Sequence, residues 1–228
     1  MTTMSSKHAF LGLCLALGSA APPPPPQFNL TACPAFREVQ APKVAPEFSM
    51  RRLAGTYYEL ALHDYTQFPT CPKPSCIRSV KRLVPGVVSP SGGAQIVDSF
   101  TLSCFGRPSR VQYFFNETAH PGALLGFVRD PPLWWKGLGF ASVYNDTIVD
   151  FGPVHSATGQ YEWVIEFQCR GKPGKGVTFT GINFYSRVQA PPQAAVDGML
   201  QAARDRGLGY FMDLNVGTRL VPQTNCSF

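Results

Sequence analysis

Leu53-Ala54-Gly55-Thr56-Tyr57-Tyr58-Glu59-Leu60 opens the first strand-like run of the chain, and its reading decides the fold. A Gly two residues ahead of a large aromatic lets backbone come close to a neighbour. The aromatic can then plug the end of a sheet closed on itself. Any strand start can carry these residues, so the weight comes from the rest of the chain: a series of strand-like runs, one amphipathic segment, and Cys226 in the tail.

The runs fall near 53–62, 76–84, 94–104, 110–115, 124–128, 138–144, 147–154, 161–169 and 177–187. They are short, apolar or alternating, and broken by Pro85-Gly86, Ser91-Gly92-Gly93, Gly106-Arg107-Pro108, Asn145-Asp146, Ala157-Thr158-Gly159 and Pro173-Gly174. That texture is the signature of an antiparallel barrel or sandwich. Nine runs are one more than an eight-stranded barrel needs, so either Leu124–Val128 or Gly139–Tyr144 is expected to be a loop. After Pro191-Pro192 the period changes. Val196, Met199, Leu200 and Ala203 form one stripe, Arg204 and Arg206 close the last turn, and Gly207 comes next. This predicts a helix docked by a narrow apolar face, with an extended piece at Tyr210–Leu214 after it.

Residues 1–20 read as a secretory signal peptide. Lys7-His8 precede an apolar run from Ala9 to Leu17, and Gly18-Ser19-Ala20 supply small residues for cleavage. Its core is too short to span a bilayer, and no other segment is long and uncharged enough to do so. Residues 21–47 are Pro-rich and aperiodic, an N-terminal arm that begins with the spacer Pro22–Pro26. The barrel, helix and tail occupy 48–228. The mature chain keeps Cys33, Cys71, Cys76, Cys104, Cys169 and Cys226, an even set that in an exported protein reads as three disulfides. No pair has the C-x2-C spacing of a zinc site, so no metal is expected. Asn29, Asn116 and Asn145 head glycosylation sequons expected in the arm or in turns. A fourth sequon, Asn225-Cys226-Ser227, has a disulfide candidate as its middle residue.

Removing Lys7 from the 20 basic side chains leaves 19 against 14 acidic ones, a net charge of +5. The basic residues are scattered or sit in short loop groups, so a solvated surface accounts for them and no nucleic-acid partner is expected. Hydrolytic chemistry also lacks its parts. His63, His120 and His155 are flanked by turn or strand-end residues, and no Gly-x-Ser-x-Gly elbow accompanies them. Gly171-Lys-Pro-Gly-Lys-Gly176 lacks the ending and the helix of a phosphate loop. Glu59 and Glu166 are the carboxylates that could face a barrel interior, although period two alone leaves the side of Glu166 open. No catalytic residue and no cofactor are assigned.

The pattern resembles the lipocalins, and within them the apolipoprotein D-like group. Gly55-Thr56-Tyr57 stands where the family has Gly-x-Trp at the start of its first strand. Arg187 in Asn183-Phe-Tyr-Ser-Arg187 stands where the family ends its last barrel strand with Arg. The acid-containing turn of the second motif is poorly matched, with Asp146 and Asp150 as candidates. The resemblance covers roughly residues 33–228. It implies an all-β, eight-stranded antiparallel up-and-down barrel with one C-terminal helix packed outside. It also implies that Arg187 packs across Tyr57 beside Gly55 to close the barrel floor, Tyr replacing the usual Trp. Cys33-Pro34, Cys76, Cys169 and Cys226 match the group's cysteines, which implies Cys33–Cys169 and Cys76–Cys226; a third bridge, Cys71–Cys104, is inferred between the two that remain. A more distant resemblance links Gly55–Tyr58, Pro121–Leu124 and Tyr185–Arg187 to the lipocalin domain of violaxanthin de-epoxidase, without that enzyme's flanking domains.

Aromatic residues occupy nearly every run, and aromatics with polar tips are the usual lining of an apolar pocket. The expected lining is Tyr113, Phe115, Phe127, Trp134, Trp135, Tyr144, Trp163 and Tyr185. The adjacent indoles Trp134 and Trp135, in a Pro- and Gly-flanked loop, suggest a lid or a membrane- or partner-facing patch. The expectation is a secreted carrier of a small hydrophobic ligand, such as a lipid, sterol, retinoid or carotenoid. The alternatives are a de-epoxidase-like enzyme and an interaction protein with a filled barrel. Oligomeric state is not legible.

Overall fold

A computed structural model describes residues 31–64, 71, 73–88, 92–104, 107–129, 143–172, 175–214, 217–226 and 228. The expectations for the leader at 1–20, the polyproline spacer, Asn29 and the Trp134-Trp135 pair lie outside the described residues. Three single helical turns, α1 (Phe36–Val39), α2 (Val44–Glu47) and α3 (Met50–Leu53), lead into the sheet. The strands are β1 (Gly55–Asp64), β2 (Pro74–Val88), β3 (Ala94–Cys104), β4 (Arg107–Glu117), β5 (Ala123–Val128), β6 (Tyr144–Phe151), β7 (Trp163–Lys172) and β8 (Gly176–Ser186). Each pairs antiparallel with the next, and β1 pairs with both β8 and β2, so the sheet closes on itself as an eight-stranded up-and-down barrel.

Several boundaries differ from the sequence reading, each for a physical reason. Pro85-Gly86 does not end a strand. β2 runs through it with a register irregularity between Leu83 and Val88, and Gly86 takes φ +71°. Asn145-Asp146 is no turn but the second and third residues of β6, which merges parts of the two runs expected around it. Leu124–Val128 lies within β5, as a strand and not a loop.

The expected helix is α4 (Gln193–Ala203), whose Val196, Met199 and Ala203 are buried. Met199 and Ala203 meet Ile165, Ile182 and Phe184 on the outer face of the barrel. A π-helical turn, Arg204–Leu208, absorbs Gly207 at φ +78°, and a second short helix, α5 (Gly209–Asp213), stands where an extended piece was expected. There Phe211 packs on Phe167, with ring centroids 5.0 Å apart; burial of Phe211 and Met212 outweighs the weak local signal. A two-residue strand, β9 (Arg219–Leu220), then adds to β1 where β2 has diverged from it. Gln223 completes that seam, donating its amide to the carbonyls of Glu59 (2.7 Å) and Ile77 (2.9 Å).

All three disulfides are present as expected: Cys33–Cys169, Cys71–Cys104 and Cys76–Cys226, with Cα atoms 5.9, 5.5 and 5.3 Å apart. They tie the arm to β7, the β1–β2 connection to the end of β3, and the tail to the start of β2. Cys76 is one of two non-glycine residues with positive φ (+51°) among those described.

The floor is built by Arg187, immediately after β8. Its guanidinium carbon lies 4.1 Å from the centre of the Tyr57 ring, and Nη2 donates to the Tyr57 hydroxyl at 2.8 Å. Further hydrogen bonds go to the carbonyls of Ala54 (2.9 Å), Thr56 (3.1 Å) and Tyr161 (2.6 Å). Gly55 takes φ +123°, and a Cβ there would collide with this guanidinium. The glycine is therefore required both by its backbone and by the arginine beside it.

Arg187→Ala should cost about 3 kcal/mol, because three carbonyls and a buried phenol lose their donor. Arg187→Lys should recover less than half, since an ammonium lacks the planar fork. Urea unfolding at unchanged m-value measures both; a loss below about 1 kcal/mol for the alanine variant would show that the clamp does not hold the floor.

Candidate functional site

The register decides which side chains face inward. Paired residues share a face, so the chain of partners Glu59↔Tyr185↔Val164↔Phe151 and Lys81↔Asp98↔Tyr113↔Val128 lines the interior. Tyr57, Ile77, Ile96, Phe100, Phe115, Tyr144 and Ile148 join them in one apolar cluster. Among the expected lining, Tyr113, Phe115, Tyr144 and Tyr185 are inward as read. Phe127 is not: it stacks at 5.3 Å on Phe114 on the outer face, and the guanidinium of Arg129 lies over the Phe114 ring. Trp163 is also outside, covering Gly152 and lying 5.5 Å from the Lys43 ammonium. Both misplacements come from register, because a one-residue shift moves a strand residue to the other face.

The interior is far more polar than the sequence reading expected. Lys81, 1% exposed, forms ion pairs with Asp98 (2.9 Å) and Glu166 (3.1 Å), themselves 2% and 1% exposed. Its ammonium also lies 5.0 Å from the Phe115 ring centre and 4.8 Å from that of Tyr185. Ser79 donates to Asp98 at 2.8 Å. Glu166 therefore faces inward, which settles what period two left open. Lys81 and Asp98 were missed, although a signal existed. Lys81 lies between Ser79 and Leu83, and Asp98 between Ile96 and Phe100, at the period-two positions of an inward face.

Glu59 and Asp146 are fully buried on the same inner surface. The Glu59 carboxyl has no hydrogen-bond partner among the described residues, and Asp146 has only the side chain of Gln168 beside it. Burial pushes Glu59 well above the usual carboxylate range, and the nearby acids Asp64 and Glu166 push it further. Asp146 is raised in the same way, by burial first and then by Glu166, against a weaker opposing pull from the Lys81 charge and, less, from Gln168. Burial raises Glu166 too, opposed by Lys81. The phenols of Tyr113, Tyr144 and Tyr185 are likewise raised well above normal, chiefly by burial. Among the described residues the inner surface thus holds Lys81, two carboxylates in contact with it, and two carboxyls whose hold on a proton burial strengthens. Carboxyls held this way beside phenols can donate protons or hydrogen bonds to a guest.

A cavity of about 20 Å³ remains inside, bounded by Asp64, Asp98, Tyr113, Gln168, Asn183 and Tyr185 together with Phe100 and Phe115. No group of three or more metal-ligating side chains forms among the described residues.

His63 departs from its expected surface position. It is 1% exposed in β1, and burial holds its imidazole below the usual value. His120 and His155 are exposed, His120 stacking on Phe36 at 4.7 Å. Of the glycosylation candidates, Asn145 is exposed but on a strand. Asn116 is half-buried at the end of β4, where its side-chain carbonyl accepts from Gln95 at 2.7 Å.

No family model matches the sequence, and no curated protein matches it. Solved structures do resemble the fold. Apocrustacyanin C2 superposes with a TM-score of 0.57 at 12% identity, covering 86% of this chain and 91% of that one. Apocrustacyanin C1 gives 0.53 at 14%, with 88% and 91% covered, and lobster apocrustacyanin A1 gives 0.52 at 14%, with the same coverage. The chain has the lipocalin fold.

The buried carboxyls give stability a signed pH dependence. Glu59 and Asp146 titrate above their unfolded values, so the folded state holds protons that the unfolded chain releases. Their contribution is full below the ordinary carboxyl range and lost as pH rises above it, by up to about 1.4 kcal/mol per pH unit for each group. His63 acts with the opposite sign, costing stability as pH falls through the imidazole range. Glu59→Gln and Asp146→Asn should therefore flatten the decline of Tm between about pH 5 and pH 8, each variant gaining on the parent as pH rises. Parallel profiles for parent and variants would refute this. Lys81→Met, which strands Asp98 and Glu166, should cost about 3–5 kcal/mol at neutral pH.

Proposed function

We propose that the protein is an exported carrier that takes one small, largely hydrophobic molecule into its barrel through the end opposite the floor and does not transform it. The observation that carries the reading is the inward ring of Tyr113, Phe115, Tyr144 and Tyr185 in a barrel sealed at one end by Tyr57 and Arg187. Flat aromatic faces with polar tips hold apolar guests and orient them. The three disulfides and the leader-like first 20 residues support an extracellular setting. The apolipoprotein D-like cysteine pattern supports a lipid-type ligand.

The space left inside narrows the class. About 20 Å³ holds roughly one water, so a guest must displace side chains that bound the cavity, such as Phe100, Tyr113 and Phe115. A compact ligand with a polar group reaching Gln168 or Asn183 fits this interior better than a long rigid sterol or carotenoid. A second reading, acid–base chemistry on the guest, is favoured by one observation: the Glu59 carboxyl is buried without a hydrogen-bond partner among the described residues, and burial raises it and Asp146 well above the carboxylate range on the same inner surface as three tyrosines.

Native mass spectrometry of protein purified from its source separates these readings. The carrier predicts a retained small molecule, released unchanged on denaturation and rebinding with about micromolar affinity, near −8 kcal/mol. Release of a chemically altered molecule, with turnover lost in Glu59→Gln, would establish the enzymatic reading. An empty protein that responds to no fatty acid, retinoid, sterol or carotenoid would leave a filled barrel that works through its surface.

A further inference from the structure

The outer face of β2, β3 and β4 carries a groove of about 440 Å³ lined by Arg78, Arg82, Arg110, Ser99, Thr101 and Gln112, with Val80 and Val111 at its base. Register assembles it. Thr101 pairs with Arg78 on one side and Arg110 on the other, while Ser99 pairs with Val80 and Gln112. Arg82 lies four residues along β2 from Arg78, about 13 Å away at the usual rise of a strand. Arg110 is remote in sequence from Arg78 and Arg82 and joins them only because β2, β3 and β4 align.

Nothing in the groove neutralises them. Among the described residues no carboxylate lines it, and none of the three arginines joins an ion pair. Arg82 and Arg110 are exposed. Arg78 is held in place: its guanidinium lies 4.5 Å from the Phe228 ring centre, and that ring packs against Tyr58 at 5.8 Å. The Cys76–Cys226 bridge fixes the tail that carries Phe228, and Arg78 Nε is buried without a hydrogen-bond partner. One wall of the groove is therefore rigid and cationic before any ligand arrives.

We propose that this groove binds a sulfated polysaccharide chain. Three permanently charged guanidinium forks suit sulfate oxygens, and their spacing is too wide for one small anion to satisfy all of them. It suits charges repeated along a chain. Ser99, Thr101 and Gln112 between them offer donors and acceptors of the kind that sugar hydroxyls use. Among the described residues no aromatic lines the groove, so they form no stacking platform of the kind a single-stranded nucleic-acid site uses. Its concavity does not match a flat lipid surface. The site is independent of whatever the barrel carries.

Heparin tests this on the full, oxidised chain. Calorimetric titration at about 150 mM NaCl should show saturable binding that weakens steeply with added salt. The double variant Arg82→Gln/Arg110→Gln should weaken binding by about tenfold and shallow the salt slope by roughly two. Lys175→Gln, an exposed charge on the β7–β8 connection, should change it by less than about twofold. Unaltered circular dichroism in the double variant keeps the comparison valid, and adding Arg78→Gln should deepen the loss. No heparin binding at this salt, or binding untouched by the double variant, would overturn the assignment. So would tighter arginine-dependent binding to single-stranded DNA or to phosphatidylserine vesicles than to heparin.

Discussion

The guanidinium of Arg187 is the constraint on which the rest of the barrel depends. It joins four segments at once: the approach at Ala54, the first strand at Thr56 and Tyr57, the β6–β7 connection at Tyr161, and the end of β8. A sheet closes only if its first and last strands meet in one register, and this cation rewards that register with five donors placed at fixed angles. Gly55 is the backbone counterpart, open to φ +123° and without the Cβ that would displace the arginine. Tyr in place of Trp keeps the plug and adds a hydroxyl that Arg187 uses directly.

Above that floor, the interior is organised by charge as much as by apolar packing. Lys81 stands between Asp98 and Glu166 under the faces of Phe115 and Tyr185, so its desolvation is offset by two ion pairs and two aromatic rings. One lysine cannot compensate every nearby carboxyl, and burial together with the neighbouring acids raises the proton affinity of Glu59 and Asp146. The barrel is thus a structure whose stability is tied to pH from inside, while His63, buried under the C-terminal helices, opposes that trend. The same carboxyls are what a guest entering the barrel would meet.

The outer face shows how tertiary structure changes the meaning of composition. Along the chain the basic residues look dispersed, and a net charge of +6 is modest for 228 residues. Pairing of β2, β3 and β4 brings Arg78, Arg82 and Arg110 onto one concave surface without a carboxylate among them. The tail, bridged to β2 through Cys226, supplies the ring on which Arg78 rests.

The sequence by itself determined the antiparallel β class and the docked helix, while the partnership of Tyr57 with Arg187 and the pairing of the six cysteines were legible as what the resemblance to the lipocalins implies. These rest on local period, on turn chemistry and on motifs in a fixed order, all of which survive in one dimension. It could not decide which face Phe127 and Trp163 present, nor that Asn145 lies within a strand, because facing depends on the partner strand's register and on bulges such as that at Ile148–Asp150. Nor could it show that Lys81, Asp98 and Glu166 converge. Asp98 faces Lys81 directly across the β2–β3 pair, but Glu166 lies 85 residues away on β7, and only closure of the barrel brings it to 3.1 Å from Lys81, where burial makes each charge dependent on the others.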